Sequence, residues 1–305
     1  MTASRIFLVT GASGYLGRLA IEALLRAGED RIIGTTRSPG SIADLAQRGV
    51  QIRAADFSNP SGLPTAFEGA THVLVISTNE VGKRVAAHRS AIEAAQRVGA
   101  QHLFYTSHAA ADKSVSYVAP EHAITERFIR QCGLNYTILR NFLYPENLLQ
   151  SLRYAIEAGA IHGATGDARI SYVTRRDCAD AAAGAMLAAE RHVNRTYDIT
   201  GPASHSQADL ANIVSKVVGR EILYVDHSLE ELRARLLSEG LPEKLVDVYL
   251  SFEVSASTGE LDVVTDMVEK LSGHLPESLE SYLQNNLRSA TDFPRTLNWL
   301  RDNIR

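Results

Sequence analysis

The first 140 residues alternate short apolar runs with amphipathic helical patterns, and this alternation limits the possible folds more than any other feature. Predicted strands lie at 5–10, 31–36, 50–55, 72–77, 102–107 and 136–141. Predicted helices lie between them, near 15–28, 41–48, 61–68, 83–98 and 120–132. The strands lack polar alternation, as is typical of parallel strands that are covered on both faces. This order predicts an α/β fold with a doubly wound parallel sheet of the Rossmann type and right-handed crossovers.

The pattern changes after residue 141. "PENLLQSLRYAIEAG" places Pro145 at a helix start, "ARISYVT" and "TYDIT" are predicted strands, and the chain is mostly helical from about residue 203. We expect residues 1–144 and 174–202 to form a dinucleotide-binding domain. Residues 145–173 and 203–305 are expected to form a smaller, mostly helical lobe that binds substrate over the carboxyl ends of the strands.

Composition and charge argue against several classes of protein. Acids and bases are interspersed, and the formal net charge of −4 includes no long basic run, which disfavours nucleic acid as a partner. No apolar run approaches the roughly 18 residues that a membrane helix needs. Cys132 and Cys178 form no CxxC pair, as is common in a reducing compartment. These features predict a soluble, cytoplasmic protein without a membrane partner.

"TGASGYLG" places three glycines between the first strand and the first helix. Glycine is needed where the backbone turns sharply, approaches a pyrophosphate and packs a helix against a strand. The helix N-terminus then presents free N–H groups and a partial positive charge to the phosphates. The predicted pyrophosphate-binding residues are Gly11, Ala12, Ser13, Gly14, Tyr15, Leu16 and Gly17. A glycine-rich turn without a ligand is the alternative interpretation.

The end of the second strand distinguishes between the two nicotinamide cofactors. An NAD site usually carries an acid about 20 residues beyond the glycines, where it binds the ribose 2′-hydroxyl. This chain reads "GTTRSPG" there, with Arg37 and no acid. A guanidinium matches a phosphate bidentately, so NADP(H) is predicted, with a solvated loop arginine as the alternative. Asp56 and Phe57 are expected to flank the adenine, although Asp56 could equally cap a helix.

Longer segments resemble a known family. They are "TTRSP", "STNEVGKR", "YTSHAAAD", "EHAITE", "LRNFLYPEN" and "YVTRRDCADAAA". Together with the glycine motif they resemble the NmrA-like atypical short-chain dehydrogenases, over about residues 5–288. The resemblance implies an NADPH-dependent oxidoreductase that passes hydride directly to a quinone or a similar conjugated aromatic acceptor, without flavin. The tail 289–305 has no counterpart in the family.

The resemblance also implies roles for individual residues. The nicotinamide ribose and the nicotinamide end would be contacted by Ser77, Thr78, Asn79, Asn141, Phe142, Leu143, Tyr144, Pro145 and Glu146. Arg175 would return to the cofactor from the "VTRRD" turn. Asp177 is expected to be a helix N-cap, and a cation just before a helix N-terminus is unfavourable unless an anion lies nearby. A solvated arginine is the alternative for Arg175.

The chain lacks the Tyr-x-x-x-Lys pair with which short-chain dehydrogenases protonate their products. A ketone reductase forms a strongly basic alkoxide and needs a proton relay. Hydride addition to a quinone gives an anion with the pKa of a phenol, about 10, which water can protonate. A cationic triphenylmethane dye needs no proton. The missing pair therefore favours electron-poor conjugated acceptors as substrates.

His122 and Glu126 occupy the spacing of the missing pair. His122 is the best candidate for proton assistance, with Glu126 one turn further on to orient the imidazole or raise its pKa. The alternative is a pair that only stabilises the helix. Ser107 stands where the superfamily places its substrate-orienting serine, and His108 is expected to be a loop residue. Tyr144 could stack on the nicotinamide or the substrate, or belong to the core.

Other functions remain as alternatives. The chain could be a non-catalytic NADP-binding redox sensor, or a tailoring reductase of one polyketide or aromatic metabolite. A metal site is not expected, because His72, His88 and His102 have no carboxylate or cysteine at ligand spacing. Gly-x-Ser-x-Gly is absent, which disfavours a serine hydrolase.

Overall fold

A computed structural model describes residues 5–287 of the protein. Its strands are β1 (Phe7–Val9), β2 (Ile32–Thr36), β3 (Gln51–Ala54), β4 (His72–Val75), β5 (His102–His108), β6 (Asn135–Asn141), β7 (Ala160–Gly163), β8 (Arg169–Ser171), β9 (Arg195–Ile199), β10 (Ser204–Ser206) and β11 (Leu223–Asp226). Its α-helices are α1 (Tyr15–Arg26), α2 (Ala43–Gln47), α3 (Leu63–Phe67), α4 (Arg84–Arg97), α5 (Ala119–Gln131), α6 (Leu149–Ala158), α7 (Arg175–Leu187), α8 (Gln207–Val218), α9 (Leu229–Ser238), α10 (Glu243–Ser257), α11 (Met267–Ser272) and α12 (Leu279–Leu287). The tail 289–305 lies outside the described residues.

Seven strands form one parallel sheet in the order β3-β2-β1-β4-β5-β6-β9. The chain runs outward from β1 to β3 and then returns to β4 on the other side of β1. The sheet is therefore doubly wound, with its switch point between β1 and β4. All three residues of β1 are apolar and buried, as a central strand between two helix layers requires. The predicted fold class is confirmed.

The predicted elements of the sheet domain differ from the structure mainly at their ends. β5 pairs with β6 along its whole length, and the last pair joins His108 to Asn141. The loop position expected for His108 is therefore wrong, because this residue ends a buried strand. The helices predicted at 41–48 and 61–68 each begin with a 3-10 turn that has proline at its first position.

Helix α7 begins at Arg175 and is capped by Thr174, whose hydroxyl oxygen accepts the N–H of Asp177 at 3.0 Å. The predicted N-cap, Asp177, is therefore wrong. Its carboxylate lies inside the first turn, where it accepts the Thr174 hydroxyl at 2.7 Å. The alanine-rich helix packs closely on α11, since a Cβ on Gly184 would stand 1.8 Å from the carbonyl oxygen of Leu271.

Among the remaining elements, α8 and α10 lie at the carboxyl edge of the sheet, where they line a cavity together with the ends of β4 to β6. "ARISYVT" and "TYDIT" form strands as predicted, but the second becomes β9 at the edge of the main sheet. Two short pairs, β7 with β11 and β8 with β10, were not predicted. Within residues 5–287, no helix is long and apolar enough to cross a membrane. The domain boundaries expected from the sequence remain a prediction.

Candidate cofactor and substrate site

The glycine loop has the geometry of an anion-binding turn. Gly11 has a φ of +63° and its carbonyl accepts the N–H of Gly14 at 2.8 Å. A Cβ on Gly17 would stand 2.3 Å from that carbonyl oxygen, so only glycine lets the helix approach the loop. No side chain caps α1, and its first turn contains no acid. The free N–H groups of α1 are therefore available to a phosphate.

The end of β2 lies beside the loop that follows β4. The Arg37 guanidinium pairs with the Glu80 carboxylate at 3.3 Å, and both side chains are largely exposed. The hydroxyls of Ser13 and Thr36 are 2.7 Å apart, which connects the glycine loop to this edge. Because the parallel strands end at the same edge, a single extended ligand can reach both regions.

Asp56 and Phe57 follow β3. The Asp56 carboxylate accepts the N–H of Ser58 at 2.9 Å and its hydroxyl at 2.8 Å, and these bonds lower the pKa of Asp56. Asp56 thus closes a turn rather than capping a helix, because the next 3-10 helix begins only after Asn59. Phe57 is partly buried against the core under α3 and α4.

A cavity of about 430 Å³ lies between the carboxyl ends of β4 to β6 and the C-terminal elements. Ten predicted site residues line it: Ser77, Thr78, Asn79, Ser107, His122, Asn141, Phe142, Leu143, Tyr144 and Arg175. Side chains of α8 and α10, among them Leu210, Val248 and Phe252, form the opposite wall. The glycine loop, Arg37, Asp56, Phe57, Pro145 and Glu146 are not part of this lining.

Several buried polar atoms at the cavity have no hydrogen-bond partner within the described chain. They are Thr78 Oγ1, Arg84 Nη1, Asn141 Oδ1 and, next to the lining, Glu146 Oε2. A buried polar atom without a partner costs about 1–3 kcal/mol, so such a group points to a polar ligand. Donors and acceptors both occur, which fits the ribose hydroxyls and the carboxamide of a nicotinamide nucleotide.

Arg175 makes contacts within the chain. Its backbone N–H donates to Glu146 Oε1 at 2.8 Å and its Nη2 donates to Asn147 Oδ1 at 2.7 Å. The guanidinium also lies 4.6 Å from the centroid of the Tyr144 ring. Glu146 supplies the anion that this helix start needs, so the position of Arg175 does not by itself indicate a cofactor phosphate there. Arg175 still lines the cavity.

A buried chain of hydrogen bonds connects the loop after β4 with His122. The N–H of Thr78 donates to His88 Nε2 at 3.0 Å, which leaves the ring proton of His88 on Nδ1. His88 Nδ1 lies 3.1 Å from Thr125 Oγ1 and 3.3 Å from the Tyr105 hydroxyl oxygen. Because this protonated nitrogen cannot accept a hydrogen bond, we assign the Tyr105 hydroxyl as the donor to the other nitrogen beside it, His122 Nδ1, at 2.8 Å. These partners assign the His122 proton to Nε2.

His122 is a neutral imidazole. It is 5% exposed, and burial, with His108, Arg84 and His88 close by, lowers its pKa well below the ordinary value. The same causes lower the pKa of His108 to about 4, where burial again comes first and Arg84 second. At neutral pH, His122 can therefore offer its Nε2–H as a hydrogen-bond donor but carries no additional proton.

Glu126 does not orient His122, and this expectation is wrong. Its carboxylate accepts hydrogen bonds from Arg140 at 2.7 and 2.9 Å, from Arg130 at 2.9 Å and from the Ser107 hydroxyl at 2.7 Å. Burial alone would raise the pKa of Glu126, but these partners lower it. Ser107 thus lies in the cavity wall. Its hydroxyl is directed to Glu126, whose carboxylate is held in place by two arginines.

Sequence reasoning missed Arg84 and His108 on this wall, Tyr249 and Glu253 on the opposite wall, and the buried His88 and Tyr105 that connect to His122 through hydrogen bonds. Arg84 closes the segment "STNEVGKR", whose specificity was a usable signal. Tyr105 lies within the buried strand β5, two positions before Ser107. The two side chains therefore lie on the same face of the strand. Among the described residues, no group of three or more histidine, cysteine, aspartate or glutamate side chains is arranged to hold a metal ion.

Comparison with known proteins assigns the chain to a family, because the model of the NmrA-like family matches residues 3–283. The chain belongs to the NmrA-like family. This NmrA-like chain is 36% identical over 267 residues to quinone oxidoreductase 2 of Escherichia coli, covering 87% of this chain and 93% of that protein.

Two of the solved structures that are similar to the NmrA-like chain are reductases with a bound nicotinamide cofactor. The first is the NADPH-dependent quinone oxidoreductase of Escherichia coli complexed with NADPH, with a TM-score of 0.88, 35% identity and coverage of 92% of this chain and 99% of that one. The second is the triphenylmethane reductase of Citrobacter sp. complexed with NADP(H), with a TM-score of 0.84, 32% identity and coverage of 93% and 99%.

Proposed function

We propose that the protein is an NADPH-dependent oxidoreductase that transfers hydride directly to a quinone or a similar conjugated aromatic acceptor, without flavin. One observation carries this proposal: most of the predicted nicotinamide-binding residues line the same cavity as apolar side chains of the C-terminal elements. Direct hydride transfer needs donor and acceptor in contact and shielded from water. The quinone and triphenylmethane reductases that the chain resembles support the same class of reaction.

The chain has residues that suit each part of NADPH. The proposed cofactor contacts are residues 11–17, Arg37, Asp56, Phe57, residues 77–79, residues 141–146 and Arg175. Residues 11–17 would hold the pyrophosphate and Arg37 the 2′-phosphate, while Thr78 and Asn141 would give their unpartnered oxygens to the nicotinamide end. When bound, NADPH supplies the hydride.

On hydride transfer, the acceptor would gain negative charge next to a neutral hydrogen-bond donor of the protein. We assign this donor to His122 Nε2–H, because Nδ1 is occupied by the Tyr105 hydroxyl. A hydrogen bond to the developing phenolate oxygen stabilises it, and water can then protonate a product with a pKa of about 10. Ser107 and Tyr144 would border the acceptor. Burial raises the pKa of Tyr144, so this hydroxyl keeps its proton.

Two other functions predict different results. A redox sensor would bind NADPH but oxidise it slowly with every acceptor, and a tailoring reductase would turn over one aromatic metabolite and reject simple quinones.

The proposed location is the cytoplasm. Both cysteines are free, which supports a compartment in which thiols stay reduced.

The function is tested by following the loss of NADPH absorbance with quinones, cationic dyes, enones and ketones. We expect turnover with quinones and none above background with unactivated ketones. A matched reaction with NADH checks the cofactor preference. Ketone reduction at a rate equal to quinone reduction would contradict the proposal, as would NADPH binding without turnover of any acceptor.

A further inference from the structure

The cavity has a second polar region, on the wall that α10 forms. Glu253 lies there with 7% of its surface exposed, and its Oε2 accepts the N–H of Ala164 at 2.7 Å. A Cβ on Gly163 would stand 3.3 Å from the same oxygen, so the missing side chain makes room for the carboxyl. Tyr249, one turn earlier on α10, also lines the cavity, and its hydroxyl is close enough to Glu253 to oppose the rise that burial causes in the pKa of this carboxyl.

The Glu253 carboxyl has no cationic partner in the described chain. The groups that act on it are the Ala164 N–H, the Tyr249 hydroxyl and the Asp226 carboxylate on β11. Burial raises the pKa of Glu253, and the nearby Asp226 adds to this effect. The Tyr249 hydroxyl can donate to a carbonyl oxygen, and the Glu253 carboxyl can accept a hydrogen bond from the hydroxyl that replaces this oxygen after reduction.

Aromatic side chains also line the cavity near Glu253. They are Tyr172, whose pKa is raised by burial and by Glu253, and the adjacent Phe252, whose ring meets His108 edge-on with centroids 6.0 Å apart. His108 in turn lies 5.9 Å from the His122 ring, on the wall at the strand ends. A flat conjugated ring bound between these walls would thus have hydrogen-bonding groups at two of its edges.

We propose that Glu253 and Tyr249 form a subsite for the second oxygen of the acceptor, which selects rings that carry oxygens at opposite positions. The inference rests on the proposed function, because it assumes that the first oxygen binds at His122. It makes Glu253 a specificity-determining residue for para-quinones and their reduced products. Neither residue was expected at the site from the sequence.

Two isomers with the same ring system test the subsite, 1,4-naphthoquinone and 1,2-naphthoquinone. In the 1,4 isomer the oxygens lie at opposite positions, and in the 1,2 isomer they are adjacent. For Glu253→Leu we expect kcat/KM with the 1,4 isomer to fall about tenfold, as loss of one or two hydrogen bonds implies, and to change less than twofold with the 1,2 isomer. The KM for NADPH should not change.

Two milder variants keep the test valid if Glu253→Leu does not fold. Glu253→Gln retains an acceptor oxygen of the same shape, so it should preserve the preference for the 1,4 isomer. Tyr249→Phe removes one hydroxyl and should lower kcat/KM about threefold with the 1,4 isomer alone. Equal losses with both isomers, or no loss in any variant, would overturn the subsite. A wild-type enzyme that reduces neither quinone would instead refute the proposed function.

Discussion

Arg37 is the residue on which the cofactor preference should depend. Its pairing with Glu80 at 3.3 Å is exposed, and such pairs contribute little, so a phosphate can replace Glu80 at small cost. We expect Arg37→Ala to raise the KM for NADPH by roughly tenfold to a hundredfold, about 1.5–3 kcal/mol for a charged hydrogen bond. Steady-state kinetics with NADH should change little.

Glu80→Gln is the matched control for Arg37. It removes the competing carboxylate and keeps the shape of the side chain, so the KM for NADPH should stay the same or fall. If Arg37→Ala weakens both cofactors equally, or the wild type prefers NADH, Arg37 does not recognise the 2′-phosphate.

His122 should contribute modestly to the rate, because it is a neutral donor without a proton to deliver. We expect His122→Ala to lower kcat with a quinone by less than about tenfold, or about 1.4 kcal/mol in the barrier. General acid catalysis, by contrast, is worth about 10²–10⁴-fold. The primary isotope effect with 4-deuterated NADPH should persist in the variant. A thousandfold loss with a pH break near the histidine pKa would instead make His122 the acid and restore ketones as substrates.

For single residues, the sequence predicts which side chains lie at the site better than it predicts which hydrogen-bond partners they have. His122, Ser107 and Asn141 were predicted and do line the cavity. The partner of His122 was missed because helical spacing suggested Glu126, whereas Arg140 on β6 provides stronger charge-assisted bonds to that carboxylate. Such a choice depends on which strand lies beside the helix, and this is a property of the folded sheet.

In the loop between β1 and α1, one substitution is expected to abolish cofactor binding without destabilising the fold. Gly14 has ordinary backbone angles and is exposed, and a Cβ there would meet only the Gly11 carbonyl oxygen at 3.2 Å. We therefore expect Gly14→Val to unfold near the wild-type temperature but to show no NADPH binding by calorimetry, because its side chain fills the space for the pyrophosphate.

Gly17→Ala is the contrasting variant in the same loop. Its Cβ would stand 2.3 Å from the Gly11 carbonyl oxygen, so the helix must move from the loop and the melting temperature should fall. If Gly14→Val still binds NADPH normally, the glycine loop is only a turn.

The long elements of the main sheet and its helices could be predicted from the sequence, because each helix carries its own amphipathic periodicity and each strand its own apolar run. The short strands β8, β10 and β11 have three or four residues, and only β8 fell within a predicted strand. Their existence depends on pairing with segments far away in the chain, as β11 does with β7. Local pattern contains no information about such pairing.

The whole molecule should lose stability in mild acid because several histidines are buried in the neutral form. Burial, with Arg84 nearby, lowers the pKa of His88 to about 3 and that of His108 to about 4. The unfolded chain binds protons at these histidines below about pH 6.5, whereas the folded chain does not. Each should therefore lower the free energy of unfolding by about 2 kcal/mol at pH 5, with the loss beginning near pH 6.5.

Buried carboxyls act in the opposite sense. Burial raises the pKa of Glu146 and Glu253, so these groups add stability as the pH falls. The histidine contribution is isolated by comparing urea unfolding of the wild type and His108→Gln at pH 7 and pH 5. The variant should lose less stability over this interval, and identical losses would show that His108 is not buried in the neutral form.

The hydrogen bonds that run from Thr78 through His88 and Tyr105 to His122 join the loop expected to contact the nicotinamide ribose to the wall expected to bind the acceptor. A ligand that orders one end of this chain would order the other, so the two ligands should bind cooperatively. By thermodynamic reciprocity, oxidised cofactor and a non-reducible quinone analogue would then tighten each other's binding by the same factor. Titration calorimetry of the ternary complex should show this factor in the wild type. In Tyr105→Phe, where the chain is interrupted, the two ligands should bind independently.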